Sequence, residues 1–171
     1  ALQCFERCLE DGFVLDGVIS QSDAQALDLW RYREGISEAI TKYTPYKNDL
    51  SVRISAIPDY LRDLDELAKS RYPHYEVLWY GHFGDGNLHM NILKPAEMPV
   101  DEFEKTCAQV NPDIFELTRA HNGSISAEHG IGLLKQDYLS YTRSEADIER
   151  MRGIKGVFDP MNIMNPGKLL G

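Results

Sequence analysis

Cysteine is scarce, with three in 171 residues. Cys4 and Cys8 stand one helical turn apart and Cys107 stands alone, so no CxxC-type pair completes a zinc site. This spacing does not make a disulfide framework, and buried or half-buried thiols of a reducing compartment are expected. Long apolar runs are also missing. No stretch approaches the length of a membrane span, and nothing near the start reads as a secretory signal. Positive charge is in deficit: 18 Lys and Arg face 27 Asp and Glu, a formal net charge of −9. Nucleic-acid recognition needs a basic footprint, so that class is disfavoured. An anionic ligand must instead be drawn by a local cluster of positive groups. The chain has no GxGxxG fingerprint and no P-loop. A dinucleotide, if one is used, is expected to be held mainly by another domain.

What is present is ordinary globular material, 43% apolar and 26% charged. The length suits one domain with its own core, taken as residues 1–171. The chain opens on Ala1, and Leu2-Gln-Cys-Phe-Glu-Arg-Cys-Leu-Glu10 already reads as mid-helix. A fragment of a longer polypeptide is expected.

The spacing predicts a helix over 1–10, a short strand over 12–19 and a helix from about 23 to 42, with Gly35 as its weak point. Residues 44–49 read as a loop, and the alternation from Leu50 to Ile57 as a strand. A helix follows from Pro58 and ends before Pro73. Residues 75–93 read as a hairpin and 100–121 as a long helix closed by Asn122-Gly123. Extended chain over 124–127, helices over 132–138 and 144–156, and a loop-like tail complete the pattern. Together these elements predict an α+β fold: a ferredoxin-like antiparallel sheet with helices packed on one face.

The densest chemistry lies in Tyr80-Gly-His-Phe-Gly-Asp-Gly-Asn-Leu-His-Met-Asn91. Asp85-Gly86 is a favoured two-residue hairpin turn. Centred there, the register sets His82 opposite His89. Opposed residues share a face, with Cβ atoms about 4.5–5.5 Å apart, close enough for two imidazoles to share one metal. Asn91, two residues past His89, points the same way. Glu128 completes a His82, His89 and Glu128 set suited to zinc, manganese or ferrous iron, with positions left open for substrate. His129 cannot point with Glu128 in extended chain, so it is placed to face substrate as a base. Glu128-His129 reads equally as a polar helix start before Gly130. Arg33 and Lys47 are candidates for carboxylate recognition; each alone reads more readily as a solvated surface residue.

Gly81-His-Phe-Gly-Asp-Gly-Asn-Leu-His89, Ser126-Ala-Glu-His-Gly130 and the terminal Phe158-Asp-Pro with Asn165-Pro-Gly-Lys168 resemble the C-terminal domain of FAD-linked oxidases. Trp30-Arg-Tyr-Arg-Glu-Gly35 fits the same pattern. This group includes D-2-hydroxyglutarate and D-lactate dehydrogenases and the catalytic subunit of glycolate oxidase. The resemblance implies a divalent metal on His82, His89 and Glu128, often zinc, and a general base at His129. It implies substrate contacts at Arg33, Ser37, Lys47 and Asn91, and a cofactor contact at Asn165. It also implies FAD held mainly by an N-terminal domain of the same chain. The substrate would be a small D-2-hydroxy acid oxidised to the 2-oxo acid, with electrons passing to an acceptor protein or a quinone. A homodimer is compatible with this reading, as is a bacterial cytoplasmic, membrane-associated or mitochondrial matrix setting. Two rival classes share the residues: a metal-dependent hydrolase, active without flavin, and a metal- or carboxylate-binding module with no turnover.

Overall fold

Local signals set the opening helices. In the computed structural model, which describes residues 2–170, α1 spans Leu2–Glu10. α2, Asp23–Glu34, begins where the Ser22 hydroxyl accepts from the Gln25 amide, satisfying one of the helix's orphan donors. Gly35 ends α2 and opens α3, Ile36–Thr41. The helix predicted over 23–42 is therefore two helices, broken at the glycine. The strand predicted over 12–19 does not form. There the Asp16 carboxylate accepts from the Gly17 amide at 2.7 Å, a local bond that competes with strand pairing. These elements belong to a compact unit that ends at Lys42.

A second unit, from Tyr43 onward, carries the sheet. Its elements are β1 (Tyr46–Ser51), α4 (Ile57–Arg71), β2 (Val77–Tyr80), β3 (Asn87–Ile92), α5 (Val100–Ala120) and α6 (Glu145–Phe158). The strands run β1-β3-β2, antiparallel throughout. Among the described residues the protein is thus mixed α+β, with six helices and a three-stranded sheet rather than four strands.

Two strand assignments differ from the sequence pattern. Residues 46–51 are strand, not loop, and pairing stops at Ser51 rather than continuing to Ile57. Lys47-Asn-Asp49 has turn-like composition, but its backbone pairs with β3, and burial in the sheet overrides local propensity. Beyond Val52 the chain makes a short 3-10 turn, Ile54–Ala56, that feeds α4. Pro58 sits in the first turn of α4, where its missing N–H costs nothing. The segment predicted as helix over 132–138 is instead a 3-10 turn at Gln136–Tyr141.

The hairpin register is displaced by two residues. Tyr80, not His82, is the partner of His89, and Leu78 faces Asn91. The connection is wider than a two-residue turn. A 3-10 turn runs over Phe83–Asp85, Gly86 sits at φ +80°, and the Asn87 amide donates to the His82 carbonyl at 3.1 Å. An even displacement leaves every side chain on its predicted face.

That face division organises the unit. Leu88, Met90 and Ile92 of β3 and Leu50 of β1 are fully buried in one cluster with Tyr60, Leu64 and Ala68 of α4 and Phe103, Cys107 and Ile114 of α5. Both helices therefore cover one face of the sheet. They are tied by a 2.7 Å bond between the Tyr60 and Thr118 hydroxyls. Thr118 spends its own proton on the Ile114 carbonyl, so Tyr60 donates. The opposite face carries Lys47, Asp49, Asn87, His89 and Asn91.

Gly86 closes the hairpin against the chain leaving β1. A Cβ there would lie 2.1 Å from the Val52 carbonyl oxygen, and its φ favours glycine. Gly86→Ala should lower unfolding free energy by more than the roughly 1–3 kcal/mol of backbone strain alone. Gly84→Ala, which meets open space, should stay within about 0.5 kcal/mol of the parent. Denaturant midpoints of the two variants check this; equal midpoints would contradict the assigned turn.

Candidate metal centre

The polar face of the sheet is completed by residues 124–130. Ser51 and Ser124 form an isolated antiparallel bridge that ties this segment to the free edge of β1. Asp49, 3% exposed, then gathers the segment. Its Oδ2 accepts from the amides of Ala127, Glu128 and His129 at 3.0, 2.9 and 3.0 Å. Lys135 Nζ donates to the carbonyl oxygens of Ile125 and Asp49 and so ties the segment to β1.

The turn so formed sends Glu128 toward the hairpin. Glu128 Oε1 lies 2.8 Å from His82 Nδ1 and accepts from Asn87 Nδ2, also at 2.8 Å. The His82 and His89 rings are 5.9 Å apart, edge to face, and the His129 ring stacks on His89 at 6.1 Å. Ligand atoms of His82, His89 and Glu128 all lie within 4.8 Å of one another. Ligands each about 2.1 Å from a shared tetrahedral ion lie about 3.4 Å apart. Closing the widest separation by up to about 1.4 Å would let the three share one divalent cation. Two imidazoles and one carboxylate are donors that zinc, manganese and ferrous iron accept.

Electrostatics favour the ligating forms. Burial pushes the Asp49 carboxyl up, but the Glu128 and His129 amides, helped by the His129 and Lys135 charges, hold it below its ordinary value. Burial holds His89 below the ordinary imidazole value and outweighs the pull of Asp49 and Glu128. A neutral imidazole is the form that binds metal. The face also holds unmet polar atoms. Asp49 Oδ1, Asn87 Oδ1 and both amide atoms of Asn91 are buried with no hydrogen-bond partner among the described residues. Such atoms in a native site call for a water, an ion or a ligand.

Each residue singled out in the sequence has a definite place. His82, His89, Glu128 and His129 converge. Asn91, 1% exposed, lies in the same strand row as His89, and Lys47 is its partner across β1 and β3. Arg33 and Ser37 lie on α2 and α3 of the first unit. Asn165, at φ +47° in the tail, helps line a cavity of about 590 Å³ with Gly130, Gly132, Phe158, Met164 and Lys168. Two residues escaped the sequence pattern, Asp49 and Asn87. Asn87 was signalled by the period-two row 87, 89, 91; Asp49 carries no local signal, since its donors lie 78 to 80 residues away.

Comparison with known proteins fits this layout. Residues 1–169 match the family model described as FAD linked oxidases, C-terminal domain, and the chain belongs to that family. It is 56% identical over 169 residues to the D-2-hydroxyglutarate dehydrogenase of Stutzerimonas stutzeri (strain A1501), covering 99% of this chain and 36% of that protein. It is likewise 56% identical over 169 residues to the enzyme of that name from Xanthomonas citri pv. viticola, again with 99% and 36% covered. A mitochondrial D-2-hydroxyglutarate dehydrogenase of Arabidopsis thaliana is 42% identical over 169 residues, with 96% and 28% covered. The chain thus spans about a third of the length of these relatives. Among the described residues, no helix is long and apolar enough to cross a membrane.

If the three residues hold a divalent ion, His82→Ala and His89→Ala should each strip it from the full-length protein, because two remaining ligands make a weak site. Elemental analysis finding full occupancy in either variant would refute the three-ligand assignment.

Proposed function

We propose that this chain is the metal- and substrate-binding part of an FAD-dependent dehydrogenase that oxidises a D-2-hydroxy acid to the 2-oxo acid. The observation that carries the reading is the convergence of His82, His89 and Glu128 beside the His129 ring, within a chain of this family. The relatives' name points to D-2-hydroxyglutarate as the substrate. When bound, FAD held mainly by the remainder of the protein supplies the hydride acceptor, and a divalent metal on the three ligands supplies Lewis acidity.

The chain's own residues do the rest. His129 takes the proton of the substrate hydroxyl; its ring lies over His89, and its amide is pinned on Asp49. Lys47 offers a point charge to a carboxylate, and Asn91 beside it offers a donor and an acceptor that the chain leaves unmet. Arg33, with a bidentate fork, and Ser37 are the substrate contacts proposed from the first unit. Asn165 and the cavity it lines are proposed to meet the flavin. The strand order, with the Ser51–Ser124 bridge on the free edge of β1, supports a ferredoxin-like sheet whose fourth strand is reduced to that bridge.

His129→Asn in the full-length protein should slow flavin reduction by D-2-hydroxyglutarate roughly 10²–10⁴-fold, the usual cost of losing a positioned base. Metal content should stay at the parent level, because Glu128 and the hairpin are untouched. Anaerobic stopped-flow bleaching and metal analysis on one sample check both parts. Loss of metal together with rate would make His129 a ligand; an unchanged rate would remove it from the chemistry.

A further inference from the structure

We propose that Asp49 is a positioning residue that sets the metal site from beneath, one carboxylate oxygen shaping the segment that carries Glu128 and the other fixing the tautomer of His89. The inference rests on reading His82, His89 and Glu128 as metal ligands. Asp49 sits on β1 directly opposite His89 and is almost fully buried. Three consecutive amides reach Oδ2 only if residues 127–129 curl around it. That curl turns the Glu128 carboxylate to His82 and the His129 ring onto His89. One oxygen therefore orients both a ligand and the proposed base.

The second oxygen has a different task. Oδ1 is buried without a hydrogen-bond partner and lies 3.6 Å from His89 Nδ1, too far for a hydrogen bond as it stands. With Nδ1 turned to Asp49, His89 has Nε2 left for an ion. A ligating imidazole donates its other N–H to a carboxylate, carbonyl or water, which fixes tautomer and ring orientation. A shift of about 0.7 Å would bring Nδ1–H within hydrogen-bond distance of Oδ1. Asp49 thus links the hairpin ligand to the loop ligand through one side chain.

Asp49→Asn and Asp49→Ala in the full-length protein separate the two oxygens. Two readouts are needed: hydrogen exchange of the peptide covering 125–130 in metal-stripped protein, and zinc affinity by competition with a chromophoric chelator. In Asp49→Asn the single carbonyl oxygen turns to the three amides and the NH₂ group faces His89. That favours the His89 tautomer with its proton on Nε2, which cannot ligate there. Exchange over 125–130 should rise less than in Asp49→Ala, because a neutral oxygen still accepts from the amides, while zinc affinity falls about 10- to 100-fold. In Asp49→Ala exchange over 125–130 should rise at least about 10-fold, with β2 and β3 still protected, because the loss is local rather than global. Zinc affinity should fall at least as far as in Asp49→Asn. Equal loss of protection in β2 and β3 would make Asp49 merely structural and overturn the proposal. Parent-like zinc affinity in Asp49→Asn, with weak binding in His89→Ala, would overturn the proposal alone. Equal zinc binding by the parent and His89→Ala would overturn the ligand reading and this proposal with it.

Discussion

A carboxylate buried in a sheet must be met by donors or give up its charge. Asp49 meets that condition, and much of the site follows from how it does so. The amides that satisfy it come from 127–129, across a wide gap in sequence. Bonds to an ionised acceptor are about twice as strong as neutral ones. Three of them on one oxygen hold this otherwise irregular segment over the sheet. Glu128 and His129 inherit their directions from that solvation shell. Lys135 adds a clamp on the Ile125 and Asp49 carbonyls, and burial holds its ammonium below the ordinary lysine value despite the pull of Asp49.

The period of two along β3 assigns alternate residues opposite tasks. Leu88, Met90 and Ile92 face α4 and α5 and supply stability; fully burying each is worth roughly 1.5–3 kcal/mol. Asn87, His89 and Asn91 face the other way, onto the candidate site. A slip of one residue would exchange the two sets and lose both at once. This is why the wider turn at Phe83–Asp85 is tolerated: it moves the partner of His89 from His82 to Tyr80 without changing a face. His82, now beyond the paired residues of β2, still places its ring 5.9 Å from that of His89.

The same parity decides how much was legible from sequence. The long helices and the polar face of the hairpin follow from local periodicity, which survives in any register of the right parity. The candidate residues His82 and His89 were therefore visible before their geometry was. What local pattern could not supply is whatever depends on distant chain. β1 hid behind the turn-like composition of Lys47-Asn-Asp49, because only pairing with β3 makes that composition a strand. Residues 12–19 mimic a strand locally and find no ladder to join. Asp49 looked like a loop carboxylate because its partners arrive so late in the chain.

The polar face carries a thermodynamic cost that the apolar face offsets. A buried polar group left unmet costs about 1–3 kcal/mol, and Asn91 is buried with both amide atoms unmet. Keeping such a residue beside Lys47 makes sense if a ligand with carboxylate and hydroxyl groups supplies the missing partners. The acidic balance of the chain does not oppose that. At 0.1 M salt the Debye length is about 10 Å, so most of the −9 is screened from an approaching anion. Near contact the local groups decide: the Lys47 ammonium and the Asn91 amide favour an anion, while the Asp49 and Glu128 carboxylates oppose it unless a cation and the 127–129 amides offset them. A cation on His82, His89 and Glu128 would add to the attraction, so a net negative charge does not by itself exclude an acidic ligand.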